Sequence, residues 1–323
     1  MTFPRTPHRA GSGGRRGALD AQSFAGVANT RAGSPTRGFS MGRVSGGTTS
    51  LLHGLGKVHV GSQLEMSVSA ATLAAYLDDL LRTREFKDYP GALNGLQVEH
   101  RGPVRCIGAA VDASMKAIVK AAELGVNFLL VHHGLFWGDP QPLVGAHYRK
   151  IAALLERDIA VYSSHLPLDA HETLGNNVLL ARELGLEPTQ PFAYVNGIAI
   201  GVAGECDRDT ADLLVALDVF AARYGGRVRA TEFRSGQRTR RWAICTGAGA
   251  SSATLREAAA LGCDTLIAGE GPHHTAVAAP ELGLTVIYAG HYATEALGVQ
   301  AAAAHLAQRF GLPWHFVAAP TGS

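Results

Sequence analysis

Val131-His132-His133-Gly134 and Ala289-Gly290-His291-Tyr292-Ala293-Thr294-Glu295 each follow a short apolar run that reads as a buried strand. Imidazole and carboxylate together suit zinc, iron, manganese or nickel. Adjacent histidines at one strand end, with a His and a Glu four residues apart at another, predict a metal centre assembled at the carboxyl ends of a sheet, where open α/β folds place their chemistry. Neighbouring side chains on an extended chain point to opposite faces, so two ions follow more naturally than one. If Tyr292 begins a helix, His291 and Glu295 lie one turn apart and can grip a single site. A third segment, Ser164-His165-Leu166-Pro167-Leu168-Asp169, comes after another apolar run. Pro167 is expected to stop any helix there and to leave Asp169 projecting from a rigid turn, although His-x-x-x-Asp alone is a weak signal.

The elements that must hold these residues are regularly punctuated. Ser69 caps a predicted helix in which Leu73, Tyr76, Leu77 and Leu80 share a face, running to about residue 84. A strand over 105–112, a helix over 114–124 closed by Gly125, and a strand over 126–131 follow. Next come a helix over 144–157 and a strand over 159–163. Alternation of this kind predicts an α/β fold: two related lobes with largely parallel or mixed sheets flanked by helices, and the metal site in the cleft between them. Residues 121–130 are echoed at 258–267: each copy runs helix, glycine, polar residue, apolar strand. Two such lobes, drawn at 67–195 and 196–319, can point their strand ends into one cleft.

With 323 residues, 46% apolar and 17% charged, the chain can bury a substantial core. A net charge of +2 gives no electrostatic footprint for nucleic acid, and duplex DNA is not an expected partner. The four cysteines, Cys106, Cys206, Cys245 and Cys263, form no Cys-x-x-Cys pair and are expected to be free thiols in a reducing cytoplasm. No apolar run reaches the roughly 20 residues that cross a bilayer. Residues 1–66 are rich in Gly, Ser and Arg and hold only Asp20 and Glu65 as acids; such a composition predicts a disordered leader. An over-extended start, with Met41 or Met66 as alternatives, and an organellar transit peptide are the competing accounts of it.

Five ordered motifs carry a resemblance over residues 67–319. They are Asn94-Gly95-Leu96-Gln97-Val98; 131–135; 164–169 with Gly175-Asn176-Asn177; Gly269-Glu270-Gly271-Pro272-His273-His274; and 290–295. In this order they resemble the NIF-three-like family of dinuclear metal-centre hexameric proteins, whose members are often labelled GTP cyclohydrolase 1 type 2 homologs; the chain looks like the short form. The resemblance implies two divalent ions held by His132, His133, Asp169, His291 and Glu295. Glu295 would bridge them, with His133 and Asp169 on one ion and His132 and His291 on the other. It also implies a homohexamer whose metal sites face an internal cavity. Two ions about 3.5–4 Å apart can share a bridging water and lower its pKa, the basis of a metal-dependent hydrolase. Glu270, His165 and His274 are the candidates for proton transfer or for orienting ligand histidines. Asp112 is another orienting candidate, with a helix cap for residue 114 onward as its simpler role.

The substrate expected is a small molecule, such as GTP, another nucleotide or a cyclic amide. GTP rests on the family label, because no Gly-x-x-x-x-Gly-Lys-Ser/Thr loop is present. A non-catalytic metal-binding or metal-delivery protein and a protein-interaction scaffold are the alternatives. A metallophosphoesterase on another α/β fold would call for more Asp and Asn ligands.

Overall fold

A computed structural model describes residues 67–322. The predicted leader lies outside them. The helices are α1 (Ala70–Leu80), α2 (Met115–Glu123), α3 (Gly145–Glu156), α4 (Leu166–Asp169), α5 (Asn176–Glu183), α6 (Thr210–Arg223), α7 (Ser252–Ala260), α8 (His273–Glu281), α9 (His291–Thr294) and α10 (Ala296–Phe310). The strands are β1 (Gly95–Val98), β2 (Ile107–Asp112), β3 (Phe128–His133), β4 (Ala160–Ser163), β5 (Pro188–Val195), β6 (Ile198–Asp209), β7 (Arg229–Ala230), β8 (Arg238–Cys245), β9 (Thr265–Ala268), β10 (Thr285–Tyr288) and β11 (Trp314–Phe316).

The helix starts follow from their caps. Ser69 Oγ accepts the Thr72 amide, and α1 then buries Ala70, Leu73, Ala74 and Leu77, a single helical face. Ser114 caps α2 through the Ala117 amide, and Ser251 with Thr254 forms a reciprocal capping box on α7. The sequence echo is a shared construction. In both copies the helix closes on a left-handed glycine, Gly125 at φ 71° and Gly262 at φ 70°. The amide beyond each glycine turns back onto the helix, Val126 to the Ala121 carbonyl and Cys263 to that of Ala258. Each helix then feeds a strand buried along its apolar residues, β3 in one sheet and β9 in the other.

The first sheet has the order β1-β4-β3-β2-β11, parallel except for β1. The second has the order β5-β6-β8-β9-β10-β7, with β8, β9 and β10 parallel and the remaining pairings antiparallel. The sheets do not divide at residue 195. Strand β5 pairs with β6 in the second sheet, and the chain returns through α10 to place β11 beside β2 in the first. Both faces of each sheet are covered by apolar side chains. Leu73, Leu77, Val299 and Leu306 pack on one face of the first sheet, and Ile118 and Leu154 on the other. On the second sheet Leu255 and Ala279 cover one face, and Leu213, Leu217 and Phe220 the opposite one. Burial on both faces explains why the parallel strands read as unbroken apolar runs. All four cysteines are free, and among the described residues no helix is long and apolar enough to cross a membrane.

Candidate metal centre

The carboxyl ends of β2, β3, β4, β8, β9 and β10 meet. Strand β3 runs two residues further than its apolar stretch, so His132 and His133 are its last two residues. Their rings do not diverge: the centroids are 4.8 Å apart. The acceptor on each Nδ1 turns the ring inward. His132 Nδ1 sits 2.9 Å from the Ser164 carbonyl, and His133 Nδ1 2.9 Å from Asp112 Oδ1. Register explains the second contact, since Asp112 lies opposite His133 in the parallel β2–β3 ladder. Ser114, not Asp112, caps α2, so the simpler role foreseen for Asp112 gives way to that of a histidine-orienting carboxylate.

The turn after β4 differs from expectation. Pro167 does not prevent a helix; it occupies the first turn of the short α4, where its missing N–H costs nothing. Asp169 ends that helix. Its Oδ1 accepts the Asn176 amide at 2.8 Å, while Asn176 Oδ1 takes the Gly298 N–H at 2.7 Å, leaving Oδ2 directed at His132 Nε2, 3.5 Å away. After β10, α9 lasts one turn and the backbone breaks at Glu295 before α10 restarts. That break carries the Glu295 side chain inward, where it is buried.

Glu295 presents its two oxygens to two groups. Oε1 lies 3.4 Å from His132 Nε2; Oε2 lies 3.2 Å from His133 Nε2 and 3.0 Å from His291 Nε2. His132, Asp169 and Glu295 form one potential cation cage, and His133, His291 and Glu295 a second, with all donor atoms of each within 4.8 Å. The resemblance implied the opposite grouping. The geometry pairs His132 with Asp169, and His291 with His133, because β3 turns the His132 ring toward α4 and the His133 ring toward α9.

The donor atoms fit a cation on physical grounds. The carbonyl beside His132 Nδ1 requires that nitrogen to donate, so neutral His132 aims an Nε2 lone pair at carboxylate oxygens. His132 Nε2, His291 Nε2 and Glu295 Oε2 are buried without a hydrogen-bond partner. Facing lone pairs are reconciled by a proton or a metal ion. With no ion, protons fill the role. Burial opposes charge on His132, but Asp169 and Glu295 outweigh it and hold its pKa well above the ordinary imidazole range. Burial likewise opposes charge on His291, and Glu295 with Glu270 raises it to about 9. Burial would raise the Glu295 carboxyl, yet His132, His133 and His291 hold it well below the carboxylate range.

His165 stands over the same cluster, its ligand atom within 4.8 Å of those of His132 and His133. Asp88 accepts from His165 Nδ1 at 2.9 Å, and also from Asn94 Nδ2 and the Tyr89 and Leu166 amides. Glu270 accepts from His291 Nδ1 at 2.8 Å and so orients that ring. His274 is not part of the site: it is exposed on α8 and hydrogen-bonds Ser252 Oγ. The cleft above the cluster is a cavity of about 210 Å³ whose walls include Tyr89, Tyr194, Cys245, Thr246 and Glu257.

Sequence reasoning missed Asp88, the Asn176 bridge and Gly247. Asp88 gives no signal by itself, because its partner is 77 positions away. Gly247 was legible in part, since Thr246-Gly247-Ala248-Gly249 directly follows an apolar strand. At φ 60° a Cβ on Gly247 would fall 1.9 Å from Glu295 Oε1, so only glycine lets the loop approach the shared carboxylate.

Comparison with known proteins agrees with this architecture. A protein from Deinococcus radiodurans named "GTP cyclohydrolase 1 type 2 homolog" is 40% identical over 253 residues, covering 77% of this chain and 93% of the relative. One of the same name from Pyrococcus horikoshii is 38% identical over 250 residues, covering 77% and 98%. Among solved structures, a Thermus thermophilus protein superposes with a TM-score of 0.69 at 40% identity, over 79% of this chain and all of that one. The protein ybgI superposes with a TM-score of 0.72 at 32% identity, over the same shares. The family model for Duf34/NIF3 (NGG1p interacting factor 3) matches residues 68–321, and the chain belongs to that family.

Proposed function

We propose that the chain is a dinuclear metal-dependent hydrolase of a small, ring-containing substrate, a nucleotide or a cyclic amide. The observation that carries the reading is Glu295, whose two buried oxygens each serve a different group of ligating side chains. Divalent cations held there would supply Lewis acidity and acidified water, the chemistry of hydrolysis. The chain's own residues do the rest. Asp112 and Glu270 hold His133 and His291 in one tautomer, and the Ser164 carbonyl does the same for His132. His165, oriented by Asp88 and free of the two cages that include Glu295, is placed to pass a proton between substrate and solvent. Tyr89 and Tyr194, both exposed, wall the cavity with rings on which a planar substrate can rest. A cavity of about 210 Å³ admits a small molecule and excludes a duplex. The name borne by the relatives points to the same class of reaction.

The test is to measure bound metal by mass spectrometry and to screen that protein against nucleotides, phosphodiesters and cyclic amides. Metal with hydrolysis of one class supports the reading; metal without turnover reduces it to metal binding. Assembly as a homohexamer belongs to the same proposal. Leu143, Val144, Tyr148 and Leu155, all exposed on or beside α3, give it an apolar surface to bury. Light scattering showing a monomer or dimer at micromolar concentration would remove that part.

A further inference from the structure

The segment 246–251 joins β8 to α7 along the wall of the metal-centre cavity, and its polar groups are incompletely used. Four of its amides are committed: Thr246 to Asn177 Oδ1, Gly247 to Thr294 Oγ1, Ala250 to the Glu270 carbonyl and Ser251 to Thr254 Oγ1. The amide of buried Gly249 meets no acceptor among the described residues, nor does that of Ala248, which is exposed. The Thr246 side chain lines the same cavity, its residue is 7% exposed, and its hydroxyl is buried without a partner. Buried hydroxyls and amides are normally satisfied, so the unpaired Thr246 hydroxyl and Gly249 amide mark a place where something else supplies the acceptor. The first turn of α7, nine residues long, adds the partial positive charge of a helix start.

We propose that the loop 246–251 with the start of α7 binds an anionic oxygen of the ligand, phosphoryl or carboxylate, beside the cation pair. The proposal rests on the metal-centre reading, because Glu295 and Glu257 would repel an anion were no cation there. Close approach is built in: Gly247 abuts Glu295 Oε1, so an oxygen held by the loop lies next to the carboxylate shared by both cages. The Asn177 contact fixes Thr246 through its backbone and leaves its hydroxyl without a partner among the described residues.

The probes are inorganic phosphate and acetate, titrated calorimetrically into protein whose metal content is measured independently. Thr246→Val, nearly isosteric, should weaken binding of one or both anions about tenfold, the loss of one hydrogen bond to a charged group, with metal content unchanged. Thr246→Ser should bind as the parent does. Loss with phosphate assigns a phosphoryl group, and loss with acetate a carboxylate. Unchanged affinity for both in Thr246→Val overturns the proposal. Hydrogen exchange on the unmutated protein gives a second readout should Thr246→Val fold poorly: phosphate or acetate must slow exchange in 246–251, and no slowing with either refutes the site. Absence of bound metal, or of turnover, would instead count against the hydrolase reading, so the two failures are separable.

Discussion

Removing metal should make stability depend on pH in one direction. In the metal-free protein His291 has a carboxylate at each nitrogen, Glu270 at 2.8 Å and Glu295 at 3.0 Å. Burial works against its charge, but the carboxylates prevail and raise its pKa from the ordinary 6.5 to about 9. The folded state therefore binds that proton more tightly than the unfolded chain. Its contribution is complete below about pH 6.5, declines above it and is gone once the pH passes about 9. A rise of this size corresponds to at most about 3 kcal/mol, and solvent reaching the partly exposed ring reduces it to about 2. His132, also raised, acts in the same sense. Glu295, held low, contributes above the ordinary carboxyl pKa and is lost only in acid, outside this window. Urea unfolding of chelator-treated protein at pH 6.5, 8 and 9.5, beside His291→Gln, measures the effect. The parent should lose about 2 kcal/mol more than the variant across the range. Equal losses, or an apo protein that gains stability toward pH 9.5, would refute the assignment of His291 as the proton-holding partner of Glu295. Metal binding should run the other way, strengthening as pH rises because the cation displaces these protons.

Other perturbations separate ligands from supports. Asp112→Asn or Glu270→Gln should weaken metal binding about 10–100-fold in equilibrium dialysis while leaving the fold intact, as expected of groups that orient a ligand histidine. Gly247→Ala should both destabilise the protein and deplete it of metal, because its Cβ would displace Glu295; thermal melting and metal analysis report the two effects. His274→Ala should change neither metal content nor any hydrolytic activity, since the side chain hydrogen-bonds only Ser252 on the exposed rim. A variant that lost metal there would return His274 to the site.

Candidate ligand types and element order were legible in the sequence because both depend on local patterns. The cap at Ser69 and the glycine stops at Gly125 and Gly262 placed helices, and apolar runs placed the strands. The residue types of the centre stood out for the same reason, as His and Glu at strand ends have few apolar alternatives. What could not be read depends on three-dimensional register. Asp112 meets His133 only because β2 and β3 align in parallel, and Asp88 meets His165 across 77 positions of sequence. The grouping of ligands depends on which way each imidazole is rotated, which is set by the Ser164 carbonyl for His132, by Asp112 for His133 and by Glu270 for His291. Sheet membership of β5 and β11 could not be read either, because strand pairing need not follow chain order.

The central claim is that Glu295 serves two cation cages, His132 with Asp169 on one side and His133 with His291 on the other. Anomalous diffraction from crystals of the metal-bearing protein, with metal counted by mass spectrometry, tests it directly. The account predicts two ions per chain, one within bonding distance of each cage and both touching Glu295. A single ion, an ion outside these five side chains, or two ions grouped as His132 with His291 would contradict it.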